Sequence, residues 1–276
     1  MKEFCLIGHP LGHSISPEIH ERLFALSGIQ GSYTLKDIEA DDFDCQVGTL
    51  GALSGFNVTI PYKQSIMPFL KSIDDRARRF DAVNTVRCEA DGLHGFNTDA
   101  DGFLRALAKA GIALSGKVLL CGAGGVARMM ACEALERGCS LVIGTPTISE
   151  AGNCVSSLLS LYPDAYIEAS TLAYLSGSFD LILNGTPVGM YPNVKGSPVP
   201  LAVARSAVAV FDAVYNPVDT VLLKNARFAG AKVQGGLTML VEQAAAAQEL
   251  WTGAHFKSED IDALCKDMAS LLSKKF

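Results

Sequence analysis

The stretch that decides the fold is residues 117–143, which read KVLLCGAGGVARMMACEALERGCSLVI. An apolar run predicts a strand over residues 117–121, and glycines follow it directly. The spacing then predicts a helix over residues 126–137 and a second strand over residues 141–143. A strand, a helix and a strand in this order are typical of a parallel sheet in an α/β domain.

The glycines between the first strand and the helix match a dinucleotide-binding fingerprint. Gly122, Gly124 and Ala127 fit the pattern G-x-G-x-x-A. The first glycine permits a tight turn, the second lets the backbone approach a pyrophosphate, and the small third residue lets helix and strand pack closely. The helix N-terminus would face the phosphates. We therefore expect an NAD(P) site on the loop formed by Gly122, Ala123, Gly124, Gly125 and Val126.

The end of the next strand is where the choice between NAD and NADP is made. An acidic residue there holds the ribose hydroxyls of NAD, and a nearby arginine accommodates the extra phosphate of NADP. Residues 143–147 read Ile-Gly-Thr-Pro-Thr and contain neither. Glu150 is the nearest acid, and Arg128 lies in the first turn of the preceding helix. Hydroxyl groups are the alternative contacts, from Thr145, Thr147 and Ser149.

Strand and helix patterns alternate along the rest of the chain, which predicts two α/β lobes with a cleft between them, the second lobe a Rossmann-type doubly wound parallel sheet. Further strands are predicted at residues 3–8, 32–35, 56–60, 83–88, 93–96, 181–184, 208–212 and 232–234. Further helices are predicted at residues 17–26, 99–110, 149–161, 220–229, 237–251 and 259–272. Ser16 is the expected N-cap of the first of these helices.

Composition narrows the class of protein. The chain has 276 residues, of which 49% are hydrophobic, and a net charge of −6. This acidic balance argues against nucleic acid and anionic membranes as partners. The eight cysteines form no Cys-x-x-Cys pair, so we expect buried thiols in a reducing compartment and no metal site. A cytoplasmic enzyme acting on a small molecule, as a monomer or homodimer, is the expectation.

Two short segments carry polar groups suited to a substrate. Residues 55–63 read GFNVTIPYK, and in an extended strand Asn57 and Thr59 would leave the same face, with Lys63 just beyond. Taken alone, this segment favours a strand followed by a solvated surface lysine. Ser14 and Ser16 would present two hydroxyls at a helix N-terminus, an arrangement that suits a carboxylate. The alternative is that Ser16 only caps the helix.

Over nearly its full length the chain resembles the shikimate dehydrogenases. The matching segments are residues 8–17, 55–63, 82–85 (AVNT), 97–99 (NTD), 122–128, 184–190 (NGTPVGM), 215–217 (YNP) and 236–243 (GLTMLVEQ). The family fold places the C-terminal helices on the N-terminal lobe. This implies a substrate-binding catalytic domain of residues 1–100 plus 238–276 and an NAD(P)-binding domain of residues 101–237.

The resemblance also implies roles for single residues. Lys63 and Asp99 would be the catalytic pair, and which of them carries the proton stays open. Ser14 and Ser16 would bind the substrate carboxylate. The ring hydroxyls would be held by Thr59, Asn84, Tyr215 and Gln243. Beside the nicotinamide would lie Gly236 and Met239.

The implied activity is reversible, NADPH-dependent reduction of 3-dehydroshikimate to shikimate in aromatic amino-acid biosynthesis. One departure from the family pattern affects the cofactor. The family's Asn-Arg-Thr clasp aligns with Gly144-Thr145-Pro146, so the arginine that would grip the NADP phosphate is absent. The alternatives are an NAD-using quinate/shikimate dehydrogenase, or a shikimate-binding relative with weak cofactor use. The Ser-x-Ser pair is similar to that of shikimate-preferring members.

Overall fold

The computed structural model describes residues 1–12 and 14–275. The chain divides into two compact units. Unit 1 comprises Met1–Gly102 and Val241–Asp267, and unit 2 comprises Phe103–Leu240 and Met268–Phe276.

The helices and strands alternate along the chain. The strands are β1 (Lys2–Gly8), β2 (Gly31–Asp37), β3 (Gly55–Val58), β4 (Ser72–Ile73), β5 (Thr85–Glu89), β6 (Gly92–Phe96), β7 (Lys117–Cys121), β8 (Ser140–Thr145), β9 (Ile167–Thr171), β10 (Leu181–Asn184), β11 (Ala209–Asp212) and β12 (Lys232–Gly235). The α-helices are α1 (Ser16–Ser27), α2 (Phe43–Leu50), α3 (Asp75–Phe80), α4 (Asp99–Lys109), α5 (Gly125–Glu136), α6 (Ile148–Leu159), α7 (Leu201–Ser206), α8 (Val221–Phe228), α9 (Gly236–Thr252) and α10 (Ser258–Lys275).

Unit 1 contains a mixed six-stranded sheet in the order β2-β1-β3-β5-β6-β4. Strand β1 is parallel to both β2 and β3. Strand β5 is antiparallel to both β3 and β6. The carboxyl ends of β1 and β3 therefore lie at one edge of the sheet, and the loops that follow them begin there.

Helix α9 packs on this sheet through a close contact at Gly55. Trp251 stacks on Phe4 with a ring-centroid distance of 4.7 Å, and its Nε1 donates to the carbonyl of Val86 at 2.9 Å. A side chain at position 55 would meet the Trp251 ring and would lie 2.8 Å from the same carbonyl. Glycine at this position thus allows the helix to approach the sheet closely.

Unit 2 contains a fully parallel six-stranded sheet in the order β12-β11-β10-β7-β8-β9. The chain moves outward from β7 to β9 and then returns to place β10 beside β7. The strand order reverses at that point, which is the topological switch point of a doubly wound sheet. The predicted Rossmann-type sheet is confirmed.

Several elements differ from the sequence prediction. Helices α2, α3 and α7 and strands β4 and β9 were not predicted. Strand β9 is an edge strand with partly exposed side chains on both faces, so it lacks the apolar run that marks a buried strand. Strand β3 ends at Val58, earlier than predicted, because the next carbonyl, that of Thr59, accepts from Tyr62 N at 2.9 Å and starts a turn.

The cysteines are all free thiols, as predicted, but they are not all buried. Cys45 is exposed, and the expectation of burial is wrong there because it lies on the outer face of the short helix α2. Burial raises the pKa of Cys5 to about 12. No helix within residues 1–12 and 14–275 is long and apolar enough to span a membrane.

Candidate active site

Lys63 and Asp99 form an ion pair in unit 1. Lys63 lies in the loop after β3, and Asp99 is the first residue of α4. Lys63 Nζ donates to Asp99 Oδ2 at 2.5 Å, and the two side chains are only 19% and 14% exposed. The prediction of a solvated surface lysine, which the isolated segment favours, is therefore wrong. Polar neighbours hold this lysine at a partly buried position.

Asn84 lies beside this pair and fixes the orientation of the carboxylate. Its Oδ1 accepts from the backbone N–H of Thr98 at 2.7 Å, so its Nδ2 must face the other way. That Nδ2 donates to Asp99 Oδ1 at 2.9 Å and approaches Gln243 Oε1 at 3.4 Å. The structure thus brings together four predicted site residues: Lys63, Asp99, Asn84 and Gln243.

The predicted carboxylate site lies at the start of α1. Ser14 Oγ donates to Ser16 Oγ at 3.1 Å and accepts from Ser16 N at 3.2 Å. The N-cap residue of α1 is Ile15 and Ser16 is the first helical residue, so the interpretation of Ser16 as an N-cap is wrong. The reason is that Ser14 supplies the oxygen that accepts from the first helical N–H. Both hydroxyls lie at the positive end of the helix dipole.

Asp37 tethers the loop that carries these serines. Its Oδ2 accepts from Leu11 N at 2.9 Å, and its Oδ1 lies 2.7 Å from His9 Nδ1. The backbone N–H of Leu11, with the His9 ring as the second contribution, lowers the pKa of this carboxyl. This contact was not predicted, because nothing in the sequence pattern links the end of β2 to residues 9–11.

Thr59 and Asn57 do not act as a pair of ligand groups. Thr59 is half-buried and directly follows β3, packed against Gly8. Asn57 is buried. Its amide oxygen accepts a hydrogen bond from Tyr33, and its amide nitrogen donates to the Asn84 carbonyl and the Thr85 hydroxyl. The expectation that both residues face a ligand is therefore wrong for Asn57.

The glycine loop of unit 2 leaves its backbone open at the start of helix α5. Gly122 has a φ of +102°, a conformation that favours glycine. A side chain at Gly124 or Gly125 would meet nothing within 4 Å, so the backbone at the start of α5 is open to a ligand. The N–H groups of the first helical turn have no partner within a helix, and they suit an anion. Ala123 and Val126, half-buried, complete the predicted loop.

The end of β8 offers fewer groups that could bind a cofactor phosphate than the glycine loop does. Thr145 is fully buried and its hydroxyl donates to the carbonyl of Thr147 at 2.7 Å, so it supports the loop and has no surface for a cofactor. Thr147 caps α6 by accepting from Glu150 N at 3.4 Å. Arg128 donates to Ser157 Oγ at 2.7 Å. Residues 144–150 contain no basic side chain.

A buried carboxylate at the carboxyl ends of β10 and β11 was not predicted. Asp212 is fully buried and accepts from Asn184 Nδ2 at 2.8 Å and from Thr220 Oγ1 at 2.7 Å. Burial raises the pKa of this carboxyl. Asn184 Oδ1 in turn accepts from Thr186 N at 3.0 Å, so one network holds the loops after both strands. An Asn and an Asp at the ends of two neighbouring strands are the signal that was available in the sequence.

The remaining predicted residues lie in unit 2. Tyr215 follows β11 and is half-buried, and burial raises the pKa of its hydroxyl. Met239 is buried in the first turn of α9. Gly236 begins that helix, and a side chain there would collide with the backbone of Ala213.

Comparison with known proteins identifies the family. A family model described as the shikimate dehydrogenase substrate binding domain matches residues 6–86. A shikimate dehydrogenase (NADP(+)) from Moorella thermoacetica is 40% identical over 257 residues, which cover 90% of this chain and 87% of the relative. The chain belongs to the shikimate dehydrogenase family.

Solved structures of shikimate dehydrogenases have the same fold. One in complex with NADP+ has a TM-score of 0.89 and 34% identity, covering 98% of this chain and 96% of its own. The enzyme from Thermus thermophilus, in complex with NADP(H) and shikimate, has a TM-score of 0.85 and 33% identity, covering 97% of this chain and 99% of its own.

Proposed function

We propose that this protein catalyses the reversible, NADPH-dependent reduction of 3-dehydroshikimate to shikimate, a step in aromatic amino-acid biosynthesis. The observation that carries the proposal is the partly buried Lys63–Asp99 ion pair, held by Asn84, in a chain that belongs to the shikimate dehydrogenase family. An exposed ion pair contributes little to stability. A pair that transfers a proton, in contrast, must be held in a defined position by its neighbours.

Substrate binding is proposed to begin at the carboxylate. The hydroxyls of Ser14 and Ser16 lie together at the N-terminus of α1, where the helix dipole favours a negative group. The ring hydroxyls are assigned to four polar side chains of the family pattern: Thr59, Asn84, Gln243 and Tyr215. The contact between Asn84 and Gln243 supports the assignment of those two.

The cofactor is proposed to bind the loop at residues 122–126. When bound, NADPH supplies a hydride to the carbonyl carbon of the substrate. The open backbone at Gly124 and Gly125 and the start of α5 support a pyrophosphate there. Gly236 and Met239 remain predicted nicotinamide neighbours.

Lys63 is proposed to donate the proton that the carbonyl oxygen requires. Both oxygens of Asp99 already accept hydrogen bonds, one from Lys63 and one from Asn84, which suits an ionised carboxylate. The Lys63 ammonium has three N–H donors and uses one of them on Asp99. A positioned acid of this kind contributes about 10²–10⁴-fold in rate. In the reverse direction Lys63 accepts the proton of the alcohol.

Replacement of the lysine tests this function. Lys63→Ala is expected to lower kcat by about 10²-fold or more, with little change in KM, because the lost interaction acts on the proton transferred. Steady-state assays with 3-dehydroshikimate and NADPH measure both constants. Lys71→Ala is the matched control, since Lys71 pairs with Asp91 on an exposed surface. An unchanged kcat in Lys63→Ala would exclude Lys63 as the proton donor.

A second proposal is an NAD-using quinate/shikimate dehydrogenase, which the absence of a basic residue at 144–150 favours. Values of kcat/KM for NAD and NADP, each with shikimate and quinate, separate the two enzymes. Shikimate binding by calorimetry with no turnover on either cofactor would instead identify a binding relative. The cytoplasmic location and the monomeric or homodimeric state stay predictions.

A further inference from the structure

The catalytic pair is connected to a buried hydrogen-bond network behind it. Asn57, Asn84, Thr85 and Thr98 are all buried, and Thr85 is fully so. We propose that Thr85 and Asn57 are positioning residues, which fix the amide of Asn84 and through it the carboxylate of Asp99. The proposal rests on the proposed function and adds two buried residues that act through Asn84.

The orientation of the Asn57 amide follows from a backbone carbonyl. Asn57 Nδ2 lies 3.1 Å from the carbonyl oxygen of Asn84, which can only accept. The nitrogen must therefore be on that side, and Oδ1 faces Tyr33, whose hydroxyl donates to it at 2.7 Å. Reversing the amide would place two acceptors together at the Asn84 carbonyl, so a single orientation satisfies the site.

Asn57 then sets the direction of the Thr85 hydroxyl. Thr85 Oγ1 accepts from Asn57 Nδ2 at 2.9 Å, so the hydroxyl proton must point elsewhere. Two acceptors are within reach: Asn84 Oδ1 at 3.0 Å and Thr98 Oγ1 at 2.9 Å. Both choices support the same orientation of Asn84, because the Thr98 hydroxyl, when it accepts from Thr85, can itself donate to Asn84 Oδ1 at 3.3 Å.

The Asn84 amide transmits this order to the reacting pair. Its Oδ1 accepts from Thr98 N and from the hydroxyl of Thr85 or Thr98, and its Nδ2 is thereby directed at Asp99 Oδ1 at 2.9 Å. Asp99 Oδ2 is left for Lys63. A small rotation of Asn84 would change the carboxylate position, and a displacement of a fraction of an ångström in a reacting group has a large effect on rate.

A pair of substitutions at Thr85 tests the proposal. Thr85→Val keeps the shape but removes the hydroxyl, and we expect kcat to fall about tenfold. Thr85→Ser keeps the hydroxyl, and we expect kcat within about twofold of the wild type. The matched control is Thr252→Val, which removes a hydroxyl that donates to the carbonyl of Gln248 at 2.6 Å. The control should leave kcat unchanged.

A double-mutant cycle separates positioning from a general loss of structure. In an Asn84→Ala background, Thr85→Val should lower kcat by less than about twofold further, because the group through which it acts is gone. A full tenfold loss in that background would overturn the proposal. So would a wild-type kcat in Thr85→Val itself. Urea unfolding of each variant establishes that the assayed protein is folded.

Tyr33→Phe provides a test at the far end of the network. It removes the donor to Asn57 Oδ1 while keeping the ring that stacks on His20 with a centroid distance of 3.8 Å. We expect a fall in kcat of about threefold and some loss of stability, because the buried Asn57 Oδ1 is left without its donor, while the protein stays folded at the assay temperature. An unchanged kcat would exclude Asn57 from the network. If the wild type itself shows no turnover, the proposed function fails, and this result is distinct from either outcome above.

Discussion

At the scale of single residues, the site in unit 1 is determined by which oxygens remain able to accept hydrogen bonds. Asp99 accepts at both of its oxygens, from Lys63 and from Asn84. A carboxylate can do this and a neutral amide cannot, because an amide carries two donors on one side. The chemistry of the pair therefore depends on Asp99 remaining a carboxylate.

Asp99→Asn is expected to lower kcat by about 10²-fold or more while the protein stays folded. The new amide would direct N–H groups at Lys63 or at Asn84, each of which is itself a donor. Steady-state kinetics with 3-dehydroshikimate measure the loss. Asp101→Asn is the control on the same helix, since Asp101 pairs with Arg76 at 2.8 Å. Equal activity in the two variants would show that Asp99 has no part in the reaction.

At the scale of secondary-structure elements, helix and loop positions depend on a few close approaches. Helix α9 reaches the unit 1 sheet because Gly55 has no side chain. In unit 2, Gly185 lies against the first turn of α5, where a side chain would come within 3.0 Å of Ala127 N. The start of α5 is thereby held next to the end of β10.

Gly55→Ala should destabilise the protein by about 1–3 kcal/mol, because the methyl group would displace Trp251 from its bond to Val86. Urea unfolding followed by fluorescence measures the change. Gly48→Ala is the control of opposite sign. Position 48 lies in α2 with nothing within 4 Å of an added side chain, and alanine there should stabilise by about 0.5–1 kcal/mol. A stable Gly55→Ala would contradict the close-packing argument.

The loop between β8 and α6 should accept an engineered phosphate contact. Pro146 is exposed there, and Pro146→Arg is expected to raise kcat/KM for NADP relative to NAD by about tenfold, because it supplies a cation for the extra phosphate. Ser156→Arg adds the same charge further along α6 and should leave the ratio unchanged. A Pro146→Arg ratio equal to that of wild type would place the extra phosphate elsewhere.

At the scale of the whole molecule, each unit has its own sheet and its own core. The single tryptophan, Trp251, belongs to unit 1. Its fluorescence therefore reports the unfolding of that unit. His20 lies in the same core, stacked on Tyr33, with Nδ1 3.2 Å from Gln248 Nε2.

Unfolding of unit 1 should depend on pH through His20. Burial lowers the pKa of His20 to about 3, from an ordinary value of 6.5. The folded protein therefore keeps the ring neutral, while the unfolded chain binds a proton below about pH 6.5. Stability from this group is complete above that pH and falls by about 1.4 kcal/mol per pH unit below it.

His20→Phe removes this titration and keeps an aromatic ring beside Tyr33. Urea unfolding followed by Trp251 fluorescence between about pH 6 and pH 4 should show a slope smaller by about one proton in the variant. Carboxyl groups contribute equally to both proteins and cancel in the difference. Equal slopes would mean that His20 is charged in the folded protein.

Much of the fold could be predicted from the sequence, because contiguous residues specify the strands, turns and helices concerned. The glycine loop, the strand β7 and the helix α5 are contiguous, so their periodicity and turn residues specify them. The parallel order of the second sheet then follows from chain connectivity. Strand β9 and the short helix α2 were not predicted, because their side chains are partly exposed and their apolar residues do not recur with a clear period.

For the site, the sequence predicted which residues take part but not the contacts among them. By itself the sequence determined the fold class, the glycine loop and which polar residues belong to the family pattern. Only the tertiary structure decided that Asn57 points into the interior, that Thr145 is buried, and that Asp99 bonds both Lys63 and Asn84. The physical reason is that hydrogen bonds between residues far apart in the chain depend on strand register and side-chain direction, and local residue preferences encode neither.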